Sequence, residues 1–382
     1  MTDVFASKSA VPAPPAPQAG GQGRVMRVAR EHGVGPLRQY AQILALRMRG
    51  TGIGAGEYYD FGLYDSAHTG QCRARFLGEQ ASRELNLSLS PEGVWDHDAI
   101  VTDKVALIHY VAERGLPTAR TQATVGKAHE FGGVLRLKHM AQVLEFLANR
   151  ARYPLLAKPT FGKLSTGVQR IERIDDEGRF LRFANGRFTE LAALAEEIMR
   201  DHGKTGLVFQ TALRQHPQIT GLAGSGLVKL RVVTLADEPQ APGALYALAC
   251  LPDVTGDSRM LCPIDLASGT LGQCRRGRGP DSDWHDHHPV TGKPLAGQEL
   301  PNWRAVLDLA CAAHTLLPDC GIMGWDIGLT PEGPMIVSGT GAPRHALYQL
   351  ASGEGVMNPR FARRFSAVAE RQARALQVAL RR

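Results

Sequence analysis

Runs with the composition of β-strands come in pairs along this chain, joined by short turns, with few helix-period segments between them. Two such runs flank Asp176-Glu177-Gly178, an Asn185-Gly186 turn follows, and long apolar runs cover residues 227–236 and 243–251. Residues 324–329 and 334–338 flank a Thr330-Pro331-Glu332-Gly333 turn. Antiparallel neighbours close through turns of this kind, whereas parallel ones need a crossover of about a dozen residues or more. The pattern predicts an α+β chain with helices on one face of its sheets, and it excludes a repeating βαβ wind. No internal repeat is present.

Further strands are expected at 154–159 and 206–210, and helices at 103–115, 139–150, 189–202 and 302–316. In GPLRQYAQILALRMRG (35–50), Leu37, Tyr40, Ile43, Leu44 and Arg47 fall at helical spacing before a terminating glycine. The expected division is a disordered Pro/Ala/Gly-rich tail (1–24), a helical region (25–100), a main α+β domain (101–358) and a basic C-terminal helix (359–382). Of 382 residues 43% are hydrophobic, enough for two or three subdomains with their own cores. The net charge of +7 suits anionic partners, but no nucleic-acid-reading motif accompanies it.

Six cysteines without a C-x-x-C pair read as reduced, mostly structural thiols. No apolar leader core and no apolar stretch of about 20 residues is present, so the expected location is cytoplasmic, without a transmembrane segment. The C-terminal segment sets Phe361, Phe365, Val368, Leu376 and Leu380 at helical spacing with arginines opposite. A docked surface helix is expected there, with peripheral contact to an anionic membrane as the alternative.

Several segments carry candidate chemistry. In PLLAKPTFGKLSTGVQRI (154–171), Lys158 ends a strand before a loop containing Gly162 and Gly167, an arrangement that can surround a polyphosphate with charge and backbone N–H groups. LVFQTALRQHP (207–217) couples a buried strand to a polar tail whose backbone can read a base edge. Arg231 lies on an otherwise apolar strand and needs a carboxylate or phosphate partner there; its alternation with Lys229 predicts a cationic face. Three other patterns read as structural. The Gly50, Gly52, Gly54, Gly56 series reads as a flexible hinge, and Gly203-Lys204-Thr205 as a helix end, since Ile198 stands where a phosphate loop needs glycine. WHDHHP (284–289) reads as a solvated loop because no helix pairs its histidines for zinc.

Taken in order, EYYDFGLY, the Asp103-Lys104 helix start, Lys158-Pro159 with its glycine loop, LRQHP, LRVVTL, PIDLASGTLG, HPVTGKPLAGQELPNW, GWDIGLTPEGP and the Gln349 region resemble the sugar-transfer-associated ATP-grasp family, related to α-L-glutamate ligases. The resemblance implies ATP sandwiched between two α+β subdomains. Lys104 and Lys158 would face its phosphates under the Gly162–Gly167 loop, the backbone of Gln210, Thr211 and Leu213 its adenine, and Arg231 the transferred phosphoryl group or the acyl phosphate. In active relatives a carboxylate at the position of Asp326, with a Glu and an Asn on the next strand, holds Mg²⁺. Here Ser338 and Thr340 occupy those two places, and Asp253-Val254 and Ser258-Arg259 depart from a second motif. Asp253, Asp257 and Asp265 are the candidate substitute carboxylates. Two functions follow from the resemblance: an ATP-dependent carboxylate–amine ligase acting on an unidentified carboxylate or amine, for instance a cell-surface polysaccharide precursor, or a catalytically degenerate nucleotide-binding scaffold. Neither involves nucleic acid.

Overall fold

A computed structural model of the chain describes residues 21–91, 97–126, 133–160, 169–238, 241–252, 259–379 and 381. The predicted loop holding Gly162 and Gly167 lies outside these residues, as do Asp253, Val254, Asp257 and Ser258. The chain divides into two compact units, one formed by residues 103–213 and the other by the segments on either side of it.

The N-terminal segment folds as helices α1 (Gly21–His32), α2 (Pro36–Met48), α3 (Ala55–Asp60), α4 (Gly70–Arg73), α5 (Glu79–Leu89) and α6 (Asp98–Thr102). The glycine series before α3 is clamped and is not a hinge. Gly78 N–H donates to Thr51 O at 2.8 Å, and the Glu57 carboxylate accepts from the backbone N–H groups of Gly54 (2.8 Å) and Glu79 (2.6 Å). A Cβ on Gly78 would lie 2.1 Å from Gly52 O, so this crossing needs glycine. Tyr58 and Tyr59 of EYYDFGLY are buried and donate to Gln42 and Gln39 of α2 at 2.5 and 2.6 Å.

The unit of residues 103–213 begins at α7 (Lys104–Glu113), whose Asp103 cap accepts from the N–H groups of Val105 and Ala106. Then come β1 (Thr121–Val125), β2 (Leu135–Leu137), α8 (Met140–Glu145), β3 (Leu155–Pro159), β4 (Gln169–Ile174), β5 (Phe180–Phe183), β6 (Phe188–Glu190), α9 (Leu191–His202) and β7 (Leu207–Thr211). The sheet order is β2-β1-β7-β3-β4-β5-β6, parallel at β1–β2 and antiparallel elsewhere. Val143, Leu194, Ala195 and Ile198 of α8 and α9 share a core with Val125, Leu155, Ile171 and Phe209 of the sheet. Each such large side chain contributes about 1.5–3 kcal/mol by leaving water.

The second unit continues with α10 (Pro217–Ala223), β8 (Lys229–Glu238), β9 (Ala241–Pro252), β10 (Arg259–Ile264), β11 (Cys274–Arg276), β12 (Asp283–His285), α11 (Trp303–Thr315), β13 (Ile322–Thr330), β14 (Gly333–Thr340), α12 (His345–Ser352) and α13 (Pro359–Ala379). Its antiparallel sheet runs β12-β11-β10-β9-β8-β13-β14. Helices cover both faces, not one as expected. α11 sits against the face carrying Thr234 and Trp325, where His314 Nδ1 lies 2.8 Å from Thr234 Oγ1. Val233, Leu235, Tyr246 and Leu248, on the opposite face, share a core with Leu347 and Tyr348 of α12, Phe361 and Phe365 of α13, and the N-terminal helices.

Two further expectations change, and a third, the docked C-terminal helix, is met while its membrane alternative falls. Cys262 and Cys274 are joined by a disulfide rather than reduced, because antiparallel β10 and β11 bring their Cα atoms to 4.1 Å. The 284–289 run is not simply a solvated loop: Asp283–His285 is an edge strand, and His288 is buried with Nδ1 accepting from Val290 and Thr291 N–H. The apolar face of α13 (Phe361, Phe365, Val368) is buried, and Arg364 and Arg371 tie the helix to Asp237 and Ala236, so that face is not available to a membrane.

Two buried histidines couple the second unit to pH. His345 lies between Tyr246 Oη (2.9 Å) and Asn86 Oδ1 (3.0 Å), and His314 between Thr234 Oγ1 and Cys320 O (2.9 Å), and burial lowers both from 6.5 to about 4. Above pH 6.5 neither state gains a proton; from there down to about 4 only the unfolded chain does, so stability falls as pH falls. The limit is about 3 kcal/mol per histidine. Urea unfolding at pH 7 and pH 5 is expected to show this loss, and a His314→Gln/His345→Gln variant, weaker at pH 7, is expected to change less between the two.

Candidate functional site

In the 103–213 unit, β3 and β7 lie side by side with Leu156 opposite Gln210 and Lys158 opposite Val208. The two-residue diagonal brings Lys158 Nζ to 2.7 Å from Gln210 Oε1, and Gln210 Nε2 donates onward to Ala119 O at 2.9 Å. Gln210 is buried and thereby fixes where the ammonium sits. Thr211 N–H donates to Arg120 O, its hydroxyl accepts from Gln122 Nε2, and Ala212 N–H donates to Pro154 O. Leu213 is the last residue of this unit and is half-buried. Lys104 is exposed at the first position of α7. Lys158, Gln210 and Thr211 thus share neighbouring strands, while Lys104 stands on a helix start.

In the second unit, antiparallel register places Asp326 of β13 directly opposite Arg231 of β8 on one side and Ser338 of β14 on the other. Opposed residues share a sheet face. Arg231 Nε donates to Asp326 Oδ1 at 2.5 Å, and Ser338 Oγ donates to Asp326 Oδ2 at 2.9 Å. The pair is largely buried, with 17% of the arginine side chain and 12% of the aspartate side chain exposed. Burial by itself would raise the Asp326 pKa, but the adjacent guanidinium outweighs it, helped by Lys229 and Ser338, and holds the carboxyl well below the usual range. Arg231 is pushed up by the same partner against its own burial. Along β8 this face passes from fully buried Leu235 and Val233 to Arg231 and the half-buried Lys229, so cations gather at one end of the strand.

The magnesium expectation can be tested against this geometry. Asp326 is the one carboxylate in the set, and both of its oxygens already accept hydrogen bonds from Arg231 and Ser338. Thr340 lies opposite Gly324, and its hydroxyl accepts from Ala342 N–H. Asp265 is exposed and spends its carboxylate on the N–H groups of Ala267 and Ser268 in its own turn. Among the described residues no group of three or more His, Cys, Asp or Glu is placed to hold a metal ion. As arranged, Asp326, Ser338 and Thr340 do not fit Mg²⁺, because the negative charge such an ion needs is balanced by Arg231.

Sequence reasoning missed the structural work of the other motifs. Gln349 is fully buried; its Oε1 accepts from Leu77 and Val356 N–H, and its Nε2 donates to Leu77 O. A glutamine in an apolar helix run, Leu347 to Ala351, was the available signal.

A family model described as "Sugar-transfer associated ATP-grasp" matches residues 96–363. No curated protein matches the chain. Among solved structures the chain is similar to a D-alanine-D-alanine ligase from Coxiella burnetii, with 11% identity and a TM-score of 0.42 over 74% of this chain and 60% of that one. It thus spans less than two thirds of that ligase. An L-amino acid ligase from Bacillus licheniformis is similar at 14% identity and a TM-score of 0.37, covering 71% of this chain and 47% of the other.

Two outcomes test the site. Arg231→Met should cost roughly 3–5 kcal/mol in chemical denaturation by stranding a buried carboxylate, and Arg231→Met/Asp326→Leu should recover most of it. Ser338→Glu with Thr340→Asn should raise Mg²⁺ affinity at least about tenfold in calorimetric titration, since it adds a charged oxygen ligand beside Asp326; unchanged affinity would mean that these positions do not neighbour a cation.

Proposed function

Because the chain belongs to the sugar-transfer-associated ATP-grasp family, we propose that it binds ATP and joins a carboxylate to an amine through an acyl phosphate. In that reaction a carboxylate oxygen of the substrate attacks the γ-phosphorus, the bond to the β–γ bridging oxygen breaks, and ADP leaves. The amine then attacks the acyl carbon, phosphate departs, and the nitrogen loses a proton as the amide forms. Catalysis of such transfers is mostly positioning and electrostatics. The observation that carries the reading is the buried Arg231, held in register by Asp326 with Lys229 beside it: a fixed cationic group of the kind that stabilises a phosphoryl or acyl-phosphate oxygen. Lys158, oriented by Gln210, supplies a point charge for the phosphate chain, with Lys104 as a second. The backbone of Gln210, Thr211 and Leu213 is the proposed adenine edge, and the residues around Gly162 and Gly167 the proposed phosphate cover. A sugar or polysaccharide precursor as substrate belongs to the same proposal, as does a cytoplasmic location. Among the described residues no helix is long and apolar enough to cross a membrane.

A second reading, nucleotide binding without turnover, is favoured by one observation: both Asp326 oxygens are satisfied internally. Calorimetric titration with ATP separates binding from its absence, and ADP release across a panel of carboxylates and amines separates the two readings. ATP is expected to bind, and Lys158→Ala to weaken it at least about tenfold, or about 1.4 kcal/mol, with stability lowered by no more than about 1–3 kcal/mol, the cost of the lost Gln210 hydrogen bond. ADP release that needs both substrates supports the ligase, binding without release supports the scaffold, and no ATP binding would sink both.

A further inference from the structure

Helix α2 has two apolar faces, and only one of them is used by the fold. Ile43 and Leu46 are buried with Gln39, whereas Leu37, Tyr40, Leu44 and Met48 are 87%, 68%, 45% and 76% exposed. At about 100° per residue the exposed four lie within an arc of about 80°, a stripe about 16 Å long. The helical spacing of Leu37, Tyr40 and Leu44 therefore does not mark the core. Met26 of α1 is also 56% exposed. Isolated exposed apolar residues need no explanation, but a continuous stripe of large ones is unusual on a monomer.

The charge around the stripe identifies what covers it. Residues 21–50 contain six arginines and one glutamate, and α2 itself has no acidic residue. On the wheel Arg47 borders one edge of the stripe, and on the other side Ala41 and Ala45 separate it from Arg38 and from Arg49, just past the helix end; all three arginines are exposed. Arg49 donates to Gly70 O at 2.9 Å and Arg47 to Ile53 O at 3.4 Å, neutral acceptors that leave their charge unbalanced. The one glutamate, Glu31, is paired with Arg27. A second copy docked stripe to stripe would bring two rows of arginines together with no acid on either helix, which opposes self-association. An anionic lipid surface meets both requirements, since acyl chains take the leucines and Met48, the headgroup layer takes Tyr40, and acidic headgroups take the arginines.

We propose that the exposed Leu37, Tyr40, Leu44 and Met48 stripe of α2, flanked by Arg38, Arg47 and Arg49, docks this protein in plane on an anionic bilayer surface. The test is co-sedimentation of the full-length protein with vesicles of phosphatidylcholine alone and of phosphatidylcholine mixed with phosphatidylglycerol. Binding is expected only to the mixed vesicles and should weaken as salt is raised. Leu37→Ser/Leu44→Ser/Met48→Ser should reduce it at least about tenfold, and Arg38→Gln/Arg49→Gln about fivefold per arginine removed. All replaced side chains are exposed, so thermal unfolding should match the unaltered protein. Absence of binding to the mixed vesicles, or equal binding by the serine variant, would overturn the proposal. So would a dimer in sedimentation velocity that the serine variant dissociates, which would assign the stripe to a second copy. Binding that appears only after residues 1–20 are deleted would overturn it too, and assign the stripe to the chain's own N-terminus.

Discussion

Arg231 and Asp326 meet because β8 lies between β9 and β13 in fixed antiparallel register. A slip of β8 by one residue would turn Arg231 to the face covered by α11 and leave Asp326 behind on its own face. The core on that face opposes the slip, since Val233 and Leu235 of the same strand would leave it with Arg231. Hydrophobic pattern sets the register, and the register makes the ion pair. The pair then determines the charge available to a ligand: a carboxylate already balanced, beside a guanidinium with donors to spare.

The same logic accounts for several polar side chains of the N-terminal helices and of α12. Glu57, Tyr58, Tyr59 and Gln349 satisfy buried backbone and side-chain groups where helices cross the N-terminal segment and α12. An unmade hydrogen bond there would cost about 1–3 kcal/mol, enough to hold these residue types in place without any role in chemistry.

The first unit offers its cation differently. Lys158 has no arginine-like fork, and a neutral amide, that of Gln210, accepts one of its hydrogen bonds.

The sequence by itself determined the kinds of element and the polar residues worth watching. Paired strand runs and turn residues gave antiparallel sheets, because hairpin closure and side-chain alternation are local properties. Ordered motifs gave the family. What only the tertiary structure decided is which neighbour each side chain meets. Ser338 falls opposite Asp326, and Arg231 occupies the carboxylate that a metal would need. Cys262 and Cys274 come within bonding reach. The spacing of α2 revealed a helix but not which of its two apolar faces turns inward: Ile43 and Leu46 are buried while Leu37 and Met48 are not. Periodicity records that a face is apolar, whereas burial depends on what packs against it.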